Sequence, residues 1–194
     1  ELVREATPAY LILLDSFARD SDSASTLGAA AELYAAYGIV FVDDPERARR
    51  LTRRSLTYAQ QGMCAANSAI CEIWGLPFDE FSSGLKNIGS ADVGTLFTVG
   101  LSWLAYIQAH SDDWSALADL PKAEAVLMRV QDLDPDWRAA DREHYLAILN
   151  TIRPPALGGQ FDKGRAHYER AIQLTAGRDL GIKVNFANFY ARTL

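Results

Sequence analysis

Residues 154–159 read Pro154-Pro155-Ala156-Leu157-Gly158-Gly159, and the segment after them runs from Phe161 to Ala176. Two successive prolines remove two backbone donors and fix two φ angles, so no helix passes through them. The glycine pair can take left-handed conformations that other residues avoid. One helix must therefore end near Arg153 and another begin near Phe161. The new helix carries Phe161, Gly164, Tyr168, Ala171 and Leu174, with Ala176 closing the pattern. A small residue at the second position lets a paired helix approach, and the large third residue fills the space beside it.

The spacings 3, 4, 3, 3 and 2 match the second helix of a tetratricopeptide (TPR) repeat. Leu120, Ala123, Leu127, Val130, Leu133 and Pro135 repeat them at a constant offset of 41 residues. Ala48, Thr52, Ser55 and Tyr58 form a degenerate third copy. Further helices are expected over Leu2 to Ala18, with a start as late as Thr7 because of Pro8, and over Leu27 to Val42. Asp43-Asp44-Pro45 then restarts the chain with a capping aspartate and a first-turn proline, opening a helix to about Gly62. Others are expected over Ala65 to Trp74, Phe78 to Leu85, Ala91 to Ala109 and Trp137 to Ile152. Gly177 suits a helix C-cap, and a closing helix spans Leu180 to Leu194. No stretch alternates with period two for long enough to be a strand. The fold class is all-α: a TPR-like stack of about nine or ten helices in antiparallel hairpins, able to close into a compact superhelix. It reads as a single domain over 1–194 with an irregular insertion at about 63–90.

The 194 residues are 49% hydrophobic, enough for a sizeable core, and carry a net charge of −6 with no basic block. That excludes the footprint of a nucleic-acid binder. The longest nearly apolar run, Leu27 to Val42, is shorter than the roughly 20 residues a membrane helix needs. The chain starts at Glu1 rather than methionine, which reads as a mature or trimmed fragment whose targeting segment is gone. Cys64 and Cys71, if carried by one helix, would lie about 10 Å apart, beyond disulfide reach, and read as free buried thiols.

Phosphate-loop, dinucleotide-binding and serine-hydrolase motifs are absent. His110, His144 and His167 are scattered, and His167 reads as a partly exposed surface histidine. Asp43-Asp44 and Asp112-Asp113 fall at helix starts, where carboxylates satisfy free amides. No catalytic residue, metal ligand or cofactor site emerges, and the chain reads as non-enzymatic. The candidates for a ligand-lined pore or groove are aromatics on the first helices of pairs and on the closing helix: Tyr34, Tyr37, Trp103, Tyr106, Tyr145, Phe186 and Tyr190. The simpler reading makes them inter-helix packing.

The run His144-Tyr145-Leu146-Ala147-Ile148-Leu149-Asn150, the Pro154–Gly159 stretch, and Lys163-Gly164-Arg165-Ala166-His167-Tyr168-Glu169-Arg170-Ala171-Ile172 together resemble the TRAP-transporter-associated TPR family, the T-component (TatT). Ala30 to Gly38, Asp44 to Ala48 and Leu117 to Lys122 are similar to it as well. Pro154, Pro155, Gly158, Gly159 and Gly164 are the structural motif. The resemblance implies a periplasmic lipoprotein, lipid-anchored at its N-terminus and able to form trimers. It implies association with the solute-binding subunit of a tripartite ATP-independent periplasmic (TRAP) transporter, and an apolar channel for a hydrophobic or organic-acid ligand. The alternative is a general TPR scaffold that binds a peptide in its concave groove. A conduit predicts a tunnel beside Tyr37, Trp103 and Tyr106; a scaffold predicts an open groove with polar walls.

Overall fold

The computed structural model describes residues 2–192, and the chain divides into two compact units, Glu1–Leu133 and Asp134–Leu194. Among the described residues there are ten α-helices and no strand, as the sequence pattern requires of an all-α fold. The first unit holds α1 (Leu2–Ala18), α2 (Ala24–Val40), α3 (Pro45–Ala66), α4 (Phe78–Leu85), α5 (Val93–Ala109), α6 (Trp114–Ala118) and α7 (Leu120–Leu133). The second holds α8 (Ala139–Thr151), α9 (Phe161–Leu174) and α10 (Leu180–Asn185).

Local chemistry sets most boundaries. Asp44 caps α3 by accepting from the Arg47 amide at 2.6 Å, with Pro45 in the first turn. Asp113 caps α6 through the Ser115 amide at 2.8 Å. The other member of each acidic pair reaches across the fold instead. Asp43 pairs with Arg4, and Asp112 with Arg49 at 2.6 Å. Helix α1 begins at Leu2 and runs through Pro8, earlier than the Thr7 start, since a proline in the second turn removes only one amide from the ladder.

α2 and α3 form an antiparallel hairpin. Gly38 near the end of α2 faces Thr52 and Leu51 early in α3; Ala31 faces Ser55; Leu27 faces Gly62. The register requires small residues, and Ala30, Ala31 and Ala35 are at most 1% exposed. The buried Ser55 hydroxyl donates to Ala31 O at 2.7 Å and lies 2.9 Å from Ser102 Oγ on α5. Thr98 on α5 also donates to Glu32 on α2 at 2.9 Å. α5, buried along most of its length, therefore lies against both members of the hairpin and then against α7. Gly100 lets α7 approach: a Cβ there would sit 2.5 Å from Leu127 Cδ2.

The segment between α3 and α4 departs from expectation. α3 continues to Ala66 rather than stopping at Gly62, and no helix spans Ala65 to Trp74. Two 3₁₀ turns, Ser68–Ile70 and Ile73–Gly75, take its place. Asn67 breaks α3 with an extended backbone and caps the first turn by accepting from the Ala69 amide. α6 was not foreseen, because five residues are too few to show a period.

In the second unit the double proline acts as its chemistry dictates. α8 ends at Thr151; Pro155–Leu157 form one 3₁₀ turn; Gly158 follows at φ +86°, closed by its amide on Pro155 O at 3.0 Å. A Cβ on Gly159 would fall 2.0 Å from Arg153 O, so only glycine fits. The Gln160 amide donates to Asn150 O at 2.8 Å and sends α9 back along α8. Phe161, Gly164, Tyr168 and Ala171 are buried as the spacing predicts. Leu174 is 40% exposed and Ala176 lies beyond the helix at φ +50°, so the last two positions of the series leave the core. They fall where α9 ends and Ala176 and Gly177 reverse the chain. The closing helix changes hydrogen-bond period: α10 passes into a π-helical turn over Phe186–Ala191, and Thr193 and Leu194 lie outside the described residues.

Gly164 marks the closest approach of α8 and α9: a Cβ there would meet Thr151 Cγ2 at 2.4 Å and Ala147 O at 3.2 Å. Gly164→Ala should cost about 1–3 kcal/mol by overpacking. Thr151→Ser removes that methyl but keeps the hydroxyl bonded to Ala147 O at 2.9 Å, and should restore part of the loss in the double variant. Chemical denaturation of the four proteins checks both; additive losses would place the strain elsewhere.

Candidate functional site

The polar centre of the first unit is Asp15, 8% exposed, on the inner face of α1. Tyr58 OH donates to it at 2.7 Å and Tyr34 OH at 3.1 Å. Arg54 contacts it at 2.7 Å and Arg19 at 3.0 Å. Local spacing assembles the group: Arg19, in the turn that closes α1, lies four residues after Asp15, and 54 and 58 share a face of α3. Burial pushes the Asp15 carboxyl up, but hydrogen bonds from Tyr58, Arg19 and Tyr34 and the charge of Arg54 outweigh it, holding the group below its usual value. Burial, then the Asp15 carboxylate, pushes the Tyr34 phenol up to about 12. The cluster fastens α1 to α2 and α3.

The seven predicted aromatics fall in several places. Tyr34 belongs to the Asp15 cluster, 6.0 Å from the Tyr58 ring, and borders a cavity of about 430 Å³ with Ile12, Ser16 and Asp20. Tyr37 is buried, stacked on Phe41, and donates to Arg4 O at 3.3 Å. Trp103 is 1% exposed, edge-on to Phe81 and Trp74, with its indole donating to Asp119 at 3.3 Å. Tyr106 is half-buried between Arg53, 5.5 Å above its ring, and His110 at 4.1 Å. In the second unit Tyr145 is half-buried beside His144. Phe186 stacks on Tyr168 at 4.8 Å and meets Tyr190 at 5.1 Å, which in turn lies 5.6 Å from Phe161.

Polar pairs in the second unit are satisfied locally. His167, partly exposed, lies 2.7 Å from Glu143. Burial pushes the Glu143 carboxyl up, but His167 and Arg142 hold it below its usual value. Burial lowers the His144 pKa, and its Nε2 accepts from Asn185 at 3.0 Å. Residues that sequence reading had assigned only to packing, Tyr58 and Tyr168, turn out to organise these clusters. Asp15 carried no signal beyond its position on a helix.

A cleft of about 820 Å³ opens in the first unit between the α1–α2 link, α3 and the turn carrying Trp74. Its wall includes a Cys64–Cys71 disulfide, which corrects the reading of two free thiols. The distance argument assumed one continuous helix; α3 ends at Ala66, the chain folds back, and the two Cα atoms come to 4.7 Å. Among the described residues no group of three or more His, Cys, Asp or Glu side chains could hold a metal. No single helix there is long and apolar enough to cross a membrane.

Packed helices with polar clusters tied up between them, beside an open cleft, define an all-α helical protein. The family model for the TRAP transporter T-component (TAtT) matches residues 1–194, and the chain belongs to that family. It is thus an accessory component of a TRAP transporter, a family not known for enzymes. Membership points to a periplasmic or membrane-associated setting. No curated protein matches the sequence.

Two measurements follow from these contacts. The lowered Asp15 pKa means that its contribution to stability is complete above the ordinary aspartate value of about 3.9 and is lost as pH falls through the folded value. Asp15→Asn should therefore lose about 2 kcal/mol at neutral pH. Urea titrations should show the gap to the parent closing in strong acid, and a gap that does not change with pH would contradict the assignment. Replacing Cys64 and Cys71 by serine should cost about 2–3 kcal/mol for so short a loop. The parent with added reductant should melt with the double variant.

Proposed function

We propose that this T-component is a non-enzymatic periplasmic accessory that docks the solute-binding subunit of its TRAP transporter through the outer face of α1. The observation that carries the reading is an unpartnered apolar stripe. Tyr10, Leu13 and Phe17 follow helical spacing and are 66%, 58% and 63% exposed. Leu11, Asp15 and Ala18, on the opposite side of the same helix, are buried. Scattered exposed apolar residues are ordinary, but three in register on a helix pinned from behind favour a protein partner. Anchoring by an N-terminal lipid and assembly into trimers accompany the reading, as the family resemblance implies. For a hydrophobic or organic-acid ligand the first unit offers Tyr34, Tyr37, Trp103 and Tyr106, and the second unit, taken by itself, offers Tyr145, Phe186 and Tyr190. In the first unit the half-buried Tyr106 supports such a lining best, and in the second the half-buried Tyr145, Phe186 and Tyr190 do.

The test is Leu13→Asp with Phe17→Asp, side chains whose exposure leaves folding unaffected. Capture of the cognate solute-binding subunit should weaken roughly 30-fold, as for an interface hot spot. Circular dichroism should be unchanged. Undiminished capture by a folded variant would remove α1 as the docking face.

A further inference from the structure

The 820 Å³ cleft is lined by none of the seven aromatics, and its chemistry differs from theirs. Leu27, Ala65, the Cys64–Cys71 bridge and Trp74 are the apolar part of its lining. Gln60 and Gln61 add amides to the lining, and its charged groups are Arg19, Asp20 and Asp22. Arg19 is already held by Asp15 at 3.0 Å. The Asp15 carboxylate is itself saturated by Tyr34, Tyr58, Arg19 and Arg54. Asp20 and Asp22 are exposed, and among the described residues their carboxylates have no hydrogen-bond or ion-pair partner.

A lining that combines apolar surface with two carboxylates against one guanidinium suits a molecule with a positive head and an apolar body. A carboxylate head would meet two like charges, and the one guanidinium is shared with Asp15. The volume lies in the range of small-molecule sites, and the net charge of −6 raises the local concentration of cations rather than anions. We propose that this cleft binds an organic cation with an apolar tail, such as an alkylammonium compound. The site is independent of the docking face on α1 and of the aromatic linings.

Isothermal titration at low ionic strength, on the disulfide-bonded protein, compares octyltrimethylammonium with octanoate, whose apolar tails are alike. The cation should bind at a single site, and octanoate at least about tenfold more weakly. Asp20→Asn with Asp22→Asn should weaken the cation about tenfold, the loss expected of two exposed charge contacts, and added salt should do the same to the parent. Gln61→Trp, which adds bulk to the lining, should abolish binding. Melting curves confirm that each variant is folded; if Gln61→Trp is not, the asparagine pair decides. Octanoate binding as tightly as the cation, or cation binding indifferent to the asparagine pair, would overturn the proposal.

Discussion

The fold depends on helices meeting where a side chain is missing. Gly38 and Gly62 set the spacing of α2 on α3, Gly100 that of α5 on α7, and Gly164 that of α8 on α9. At Gly100 and Gly164 a single added Cβ would come within 2.5 Å of a neighbouring side chain. Interiors are packed nearly as densely as organic crystals, so such positions fix inter-helix distance and register together. Once register is set, the buried hydroxyls follow. Ser55 can meet both Ala31 O and Ser102 only because the backbones come this close.

That constraint explains how much of the architecture could be read in advance. The small–large alternation of Gly164 with Tyr168, and of Ala123 with Leu127, is a packing rule written in residue size, and all four are buried. Pro154, Pro155, Gly158 and Gly159 act through backbone sterics alone, which composition determines. The pattern fails at Leu174 and Ala176 for a related reason: the chain reverses there, and no facing helix remains to bury them. The stretch from Asn67 to Gly75 was misread because helical periodicity says nothing about a segment held by a covalent bond. Asn67, a half-buried cap, and two cysteines seven apart look ordinary in a linear pattern.

The candidate site was less legible, for a physical reason. Aromatic side chains serve packing and recognition with the same chemistry, and only surroundings separate the two. Trp103 is walled in by Trp74, Phe81 and Asp119, while Tyr106 and Tyr190 keep an accessible edge. Asp15 shows the converse. One acidic residue on an otherwise apolar helix face has no motif, yet four donors from α2, α3 and the turn after α1 converge on it.

Regions that escape the packing rule are therefore where recognition chemistry can accumulate. α1 is fastened by a polar cluster rather than by interlocking small residues, so its outer face stays free to carry Tyr10, Leu13 and Phe17. The disulfide does comparable work next to the cleft. It holds the short 3₁₀ turn carrying Trp74 against α3 without filling the space that a regular helix pair would close. Open volume survives beside the core because a covalent link and an ion-pair network supply there the cohesion that packed side chains supply elsewhere. The same two devices leave unpaired carboxylates and bare apolar surface side by side, a combination that close packing would have eliminated.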